Sequence, residues 1–271
     1  MKVALYQMDI LPGDPRGNER KVKEWIEDVM QQEDVPDLLV LPEMWTTAYT
    51  LDQLEHLAEG EERYTELFLK ELAREHNVNI VAGSIAKKEK GKLYNRALVF
   101  DRRGHTVYQY DKIHLVPMLS EPDYLTGGDA AASVFELDGT KMGLVICYDL
   151  RFPELMRSLA LEGAEIVYIV AEWPEARAVH WEILQRARAI ENQSYVISCN
   201  RVGAYAGVTF AGRSMVIDPW GDVLVQGSCD QEETLTTKLN PDKVSEVREA
   251  VPIFQSRVPT KYKPLHKEDV T

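Results

Sequence analysis

Met142-Gly143-Leu144-Val145-Ile146-Cys147-Tyr148-Asp149-Leu150-Arg151-Phe152-Pro153 is the stretch that decides how this chain folds. Five apolar positions ending abruptly in a polar turn read as a buried strand. Pro153 then suits the first turn of a helix, where its missing N–H costs nothing. Cys147 therefore stands on a strand-to-helix elbow. A thiol at a strand tip near a helix N-terminus lies where the local field favours thiolate, so the elbow presents a candidate nucleophile.

Working outward, strand pieces at 133–137 and 141–146 flank the turn Asp138-Gly139, and a helix is expected over 153–162. A strand at 165–170, a helix at 177–193 and a strand at 195–199 follow, then strands near 213–218, 222–226 and 234–239 and a helix near 241–249. Upstream, strands at 2–8 and 37–41 bracket a helix at 17–32, in which Val22, Trp25, Ile26 and Val29 share one face. A helix at 63–76 leads into a strand at 79–83, and strands at 93–100 and 105–110 are joined by the turn Asp101-Arg102-Arg103-Gly104. A loop runs over 112–132.

Each half thus holds one family of strands and one pair of helices. Alternation mixed with hairpins predicts an α/β fold built as a four-layer α-β-β-α sandwich, with the sheets packed face to face. Periodicity alone fits a doubly wound sheet as well. No Pro/Gly/Ser-rich linker and no repeat divides the chain, which predicts a single domain over 1–250 and a polar C-terminal tail, 251–271, packing on a partner subunit.

Composition bounds the function. The chain has 271 residues, 45% hydrophobic and 28% charged, enough for a sizeable core. A formal net charge of −13 argues against nucleic acid and anionic membranes as partners, since both favour a basic surface. No apolar run approaches a membrane span, and the first residues turn polar too early for a signal peptide. Cys147, Cys199 and Cys229 are odd in number and widely spaced, which fits a reducing, cytoplasmic location.

Three segments end an apolar run in a reactive side chain: Leu41-Pro42-Glu43, Tyr110-Asp111-Lys112 and Ile146-Cys147. Strand ends are where sites gather in α/β sheets. A glutamate, a lysine and a cysteine form a coherent set for attack on an amide or nitrile carbon. Glu43 takes the thiol proton and later activates water, while Lys112 and the Tyr148 N–H stabilise the oxyanion. No histidine is needed.

The segments Leu41-Pro42-Glu43-Met44, Asp111-Lys112-Ile113-His114-Leu115 and Cys147-Tyr148-Asp149-Leu150-Arg151-Phe152-Pro153-Glu154-Leu155 resemble the nitrilase, or carbon–nitrogen hydrolase, superfamily. The resemblance runs from the first strand to about residue 250. It implies the α-β-β-α sandwich, the Glu43/Lys112/Cys147 triad, no metal or organic cofactor, and assembly through dimers. It also implies a second glutamate after the lysine, for which Glu121 is the match.

Ala171-Glu172-Trp173-Pro174 through Arg177, His180-Trp181 and Asn200-Arg201-Val202-Gly203 resemble the omega-amidase branch. That likeness implies a small-molecule amide substrate, 2-oxoglutaramate or 2-oxosuccinamate, hydrolysed with water to a dicarboxylate and ammonia. Arg151, Arg177 and Arg201 are candidates for its carboxylate, and Trp173 for the pocket wall. Deaminated glutathione, an N-carbamoyl amino acid or a nitrile is the rival substrate, and a catalytically silent binding protein the rival of another class. Structural roles fit Cys199, Cys229, His114 and His180, and helical ion pairing fits Arg186 and Arg188 with Glu182 and Glu191.

Overall fold

In β1 (Lys2–Gln7) Val3 and Leu5 alternate with Ala4 and Tyr6, and all four are buried. Such a strand belongs to a sheet covered on both faces. The computed structural model describes residues 1–262 and shows the two covers. β1 pairs in parallel with β2 (Leu38–Val40) and β2 with β3 (Asn79–Glu89), after which β4 (Lys92–Phe100) and β5 (Thr106–Asp111) continue antiparallel. The second sheet begins with the hairpin β6 (Phe135–Leu137) and β7 (Thr140–Ile146), to which β8 (Ile166–Ala171) and β9 (Tyr195–Asn200) add in parallel.

A small hairpin, β10 (Ala204–Tyr205) and β11 (Val208–Thr209), precedes β12 (Met215–Ile217) and β13 (Val223–Gln226), giving the order β13-β12-β9-β8-β7-β6. β14 (Glu233–Lys238) returns to the first sheet beside β1, which becomes β14-β1-β2-β3-β4-β5.

Of the helices α1 (Pro15–Met30), α2 (Leu54–Leu57) and α3 (Tyr64–His76), the first and third cover the outer face of the first sheet. Val22, Trp25, Ile26, Leu69 and Leu72 pack there against Ala4, Tyr6, Leu39 and Ile80. After the short α4 (Glu121–Tyr124), α5 (Pro153–Leu161) and α6 (Ala178–Asn192) join the core of the second sheet through Met156, Leu159, Trp181 and Ala189. α7 (Lys243–Ala250) and α8 (Ile253–Ser256) follow β14. Each fully buried Leu or Ile contributes roughly 1.5–3 kcal/mol.

The sheets meet face to face: Cys199 Sγ on β9 donates to Tyr6 O at 3.2 Å and Val40 O at 3.5 Å, across the interface. The architecture is the expected α-β-β-α sandwich, not a doubly wound sheet. Three details differ from expectation. β3 runs on to Glu89, the loop over 112–132 contains α4, and the β10–β11 hairpin carried no periodic signal. Of the tail, α8 and a turn at Pro259–Lys261 are described; residues 263–271, and with them part of the expected partner-packing segment, lie outside the described residues. Among the described residues no helix is long and apolar enough to cross a membrane.

Because β2, β7, β8 and β9 run in parallel within their sheets, the residues just beyond them gather at strand C-termini. Those residues are Glu43, Cys147, Glu172 and Arg201.

Candidate active site

Glu43 reaches the site by a crossing that only glycine allows. After β2, the Leu41 N–H still bonds Val81 O at 3.0 Å, but Pro42 O then lies so close to Gly83 that any Cβ there would clash with it. Gly83 has φ +59, and β3 is bulged between Val81 and Ser84. Ser84 Oγ accepts from the Met44 N–H at 3.0 Å, and Trp45 Nε1 donates to Ala82 O at 2.9 Å, fixing the turn that carries Glu43.

Around Glu43 the partners are dense. Its Oε1 accepts from Lys112 Nζ (2.9 Å), Asn95 Nδ2 (2.8 Å) and the Tyr49 hydroxyl (2.8 Å), and its Oε2 from the Glu172 backbone N–H (2.7 Å). Lys112 also donates to Glu121 Oε1 at 2.7 Å and to the Tyr49 oxygen at 3.0 Å, committing all three of its N–H bonds. Glu121 Oε2 accepts from the Val116 N–H (2.7 Å), and its Oε1 shares the single Tyr49 hydroxyl proton with Glu43 Oε1. Glu43, Lys112 and Glu121 are all fully buried.

Burial works against the Lys112 ammonium, but Glu43 and Glu121 outweigh it and hold its pKa above the ordinary lysine value. Burial pushes Glu121 up, with Lys112 pulling it down and Glu43 raising it. Tyr49 rises well above its usual value for the same reasons, burial first and then the two carboxylates, so it stays a hydroxyl.

Cys147 opens a 3-10 turn, Cys147–Arg151, with φ +47, the left-handed region that non-glycine residues rarely occupy. Two clamps hold it there. Asp149, fully buried, accepts from the Ile146 N–H (3.1 Å), the Tyr110 hydroxyl (2.8 Å) and the His114 N–H (3.1 Å), and contacts His114 Nδ1 at 2.8 Å. One carboxylate thus ties the elbow to both sides of Lys112. Arg188 on α6 donates to Leu150 O through Nε (3.2 Å) and Nη2 (2.9 Å), and pairs with Glu191 at 3.0 Å. N–H groups in the first turn of a helix, Tyr148's among them, have no intrahelical acceptor.

The expected thiolate is corrected by these surroundings. Burial raises the Cys147 pKa well above the ordinary value, Glu43 and Glu121 raise it further, and Lys112 offsets only part. The candidate nucleophile rests as a thiol.

Cys147 opens into a narrow cleft walled by Val116, Met118, Leu119, Trp173 and Pro174. Arg151 and Arg177 line it, and neither is ion-paired among the described residues. Arg151 lies 4.7 Å from the Trp173 ring centroid and 3.3 Å from His180 Nδ1. Burial lowers its pKa, and the neighbouring Arg177 acts in the same direction.

Arg201 is a correction. It is fully buried and spent on Glu172 Oε2 (2.9 Å), Ile10 O (2.9 Å), Val202 O (2.9 Å) and Asp9 (3.4 Å), so it meets no substrate carboxylate. It holds Glu172 instead. Glu172 also lines the cleft, and its Oε1 is enclosed without a partner. Burial pushes its pKa up to about 8, which Arg201 only partly offsets.

The fold therefore brings Glu43, Lys112, Glu121, Cys147, Arg151, Trp173 and Arg177 together. Tyr49, Asn95 and Asp149 went unread: the first two sit at no informative spacing. Asp149 carried one signal, a carboxylate inside an otherwise apolar elbow. His114, stacked on Phe152 with centroids 3.5 Å apart, braces the turn.

Known proteins share this arrangement at the level of sequence and fold. The carbon–nitrogen hydrolase family matches residues 2–249. A protein of Staphylococcus aureus named hydrolase in agr operon is 43% identical over 257 residues, 94% of this chain and 97% of that one. The 2-oxoglutaramate amidase of Bacillus subtilis (strain 168) is 41% identical over 252 residues, 93% of this chain and 95% of that one. The crystal structure of Saccharomyces cerevisiae Nit3, a member of branch 10 of the nitrilase superfamily, superposes with a TM-score of 0.87 at 30% identity, covering 95% of this chain and 97% of that one. With Glu43, Lys112 and Cys147 brought together in one buried cluster beside the cleft, this chain belongs to the carbon–nitrogen hydrolase family.

Proposed function

We propose that this protein is a cysteine amidohydrolase that removes the terminal amide of a small 2-oxo dicarboxylic acid monoamide, 2-oxoglutaramate or 2-oxosuccinamate, with no cofactor. The observation that carries the reading is the cleft itself: two arginines without carboxylate partners share it with Cys147. An uncompensated guanidinium pair favours a carboxylate, and a bidentate geometry favours it further. The relatives named 2-oxoglutaramate amidase support the same substrate class.

In this reading Cys147 Sγ attacks the amide carbon as its proton passes to Glu43. The oxyanion is stabilised by the Lys112 ammonium, displacing the Tyr49 oxygen, and by the Tyr148 N–H. Glu43 returns the proton to the nitrogen, the C–N bond breaks, and ammonia leaves an acyl thioester. Water then gives a proton to Glu43 and adds to the thioester carbon. Collapse breaks the C–S bond, the thiolate recovers its proton from Glu43, and the new carboxylic acid departs and ionises, its proton taken up by the released ammonia in solution.

Arg151→Ala and Arg177→Ala test the assignment. Each is expected to raise KM for 2-oxoglutaramate about 10–100-fold, the loss of one charged hydrogen-bonding partner, with butyramide turnover unaffected. Equal effects on both amides sink the carboxylate site, and ammonia release by Cys147→Ala sinks the mechanism.

A further inference from the structure

A 2-oxo dicarboxylic acid monoamide carries three polar groups. The amide belongs at Cys147 with Lys112 and the Tyr148 N–H, and the carboxylate at Arg151 and Arg177. The 2-oxo oxygen is left, and the cleft offers it one enclosed polar atom that has no other duty, Glu172 Oε1. The remaining wall is largely apolar.

We propose that Glu172 is a specificity-determining residue: its Oε1 hydrogen-bonds the 2-oxo oxygen of the substrate and selects 2-oxo acid amides over their saturated analogues. This rests on the substrate class proposed above.

Three observations support a donor at that atom. Arg201 Nη1 already donates to Oε2 at 2.9 Å, which leaves Oε1 as the oxygen available to carry a proton. Arg201 is itself immobilised by Ile10 O and Val202 O, so the carboxyl plane is fixed. Burial, moreover, keeps the carboxyl protonated up to about pH 8. A buried donor left unpaired is disfavoured, and a 2-oxo oxygen satisfies it.

The test is kcat/KM for ammonia release from 2-oxoglutaramate and from glutaramate, which has a methylene in place of the carbonyl. The enzymes compared are wild type, Glu172→Gln, Glu172→Leu and Tyr148→Phe. Wild type is expected to prefer the 2-oxo compound at least about tenfold. Glu172→Gln, which still accepts from Arg201 and donates into the cleft, keeps that ratio within about threefold, and Glu172→Leu brings it close to one, whatever loss the two substrates share. If Glu172→Leu fails to fold, Glu172→Leu/Arg201→Met removes both halves of the buried pair and is read the same way.

A ratio unchanged in the leucine variants overturns the proposal, as does a ratio that collapses only in Tyr148→Phe. Wild type that hydrolyses both compounds equally overturns Glu172 and leaves the amidase reading intact. Wild type that hydrolyses neither overturns the amidase reading itself.

Discussion

Cys147 holds a backbone conformation that costs a non-glycine residue roughly 1–3 kcal/mol, and Asp149 and Arg188 hold its neighbours so that it stays there. The strain is what turns Sγ toward Glu43 and the cleft. Since burial and two carboxylates raise the thiol pKa, the thiol remains protonated at neutral pH. Wild type minus Cys147→Ser should therefore show no thiolate absorbance near 240 nm at pH 7. A thiolate band at that pH would mean that Lys112 dominates the local field. The sequence reading met the strand tip, the helix start and the lysine, all of which favour thiolate. Burial, and the nearness of Glu121 to the thiol, were not legible there: the resemblance names Glu121, but it lies 26 residues away and only α4 brings its carboxylate in.

Among the elements, the bulge in β3 does most to shape the site. Gly83→Ala meets Pro42 O and must hold φ +59, so the Leu41-Pro42-Glu43 crossing has to move. The expected cost is roughly 2–4 kcal/mol, read as a lower urea midpoint. A fall in kcat larger than the fraction unfolded should accompany it, because Glu43 shifts with the crossing. Wild-type stability and turnover would show that the crossing is free to adjust. The strands and long helices were legible because each buries a periodic face: Val22, Trp25, Ile26 and Val29 announce α1 at once. Tyr49 and Asn95 were not, since they act through a turn and a strand pairing that no spacing encodes. Arg201 was misread for a related reason. Its place opposite Glu172 follows from the β8–β9 register, in which Ala171 faces Asn200, and register is set by tertiary packing.

Across the whole molecule the α6 surface is unusual. Val179, Ile183 and Ile190, 66%, 60% and 52% exposed, fall with Arg186 on one outward stripe, and Trp220 nearby is 45% exposed. Apolar faces of this kind mark association surfaces, and we propose this one as the seam of the dimer that the sequence resemblance implies. Sedimentation velocity at micromolar concentration is expected to give twice the chain mass for wild type and to shift toward monomer for Ile183→Glu. No shift would place any interface elsewhere.

The division of the reactive groups between the sheets has a consequence for how the protein comes into being. Glu43, Asn95 and Lys112 belong to the first half of the chain, and Cys147 and Glu172 to the second. Until the halves dock, each holds only commonplace side chains: a solvated carboxylate, a solvated amine, an unremarkable thiol. A chain still emerging from the ribosome, or one half refolded, is thus chemically inert, and the return of ammonia release during refolding marks the moment the two sheets close on each other.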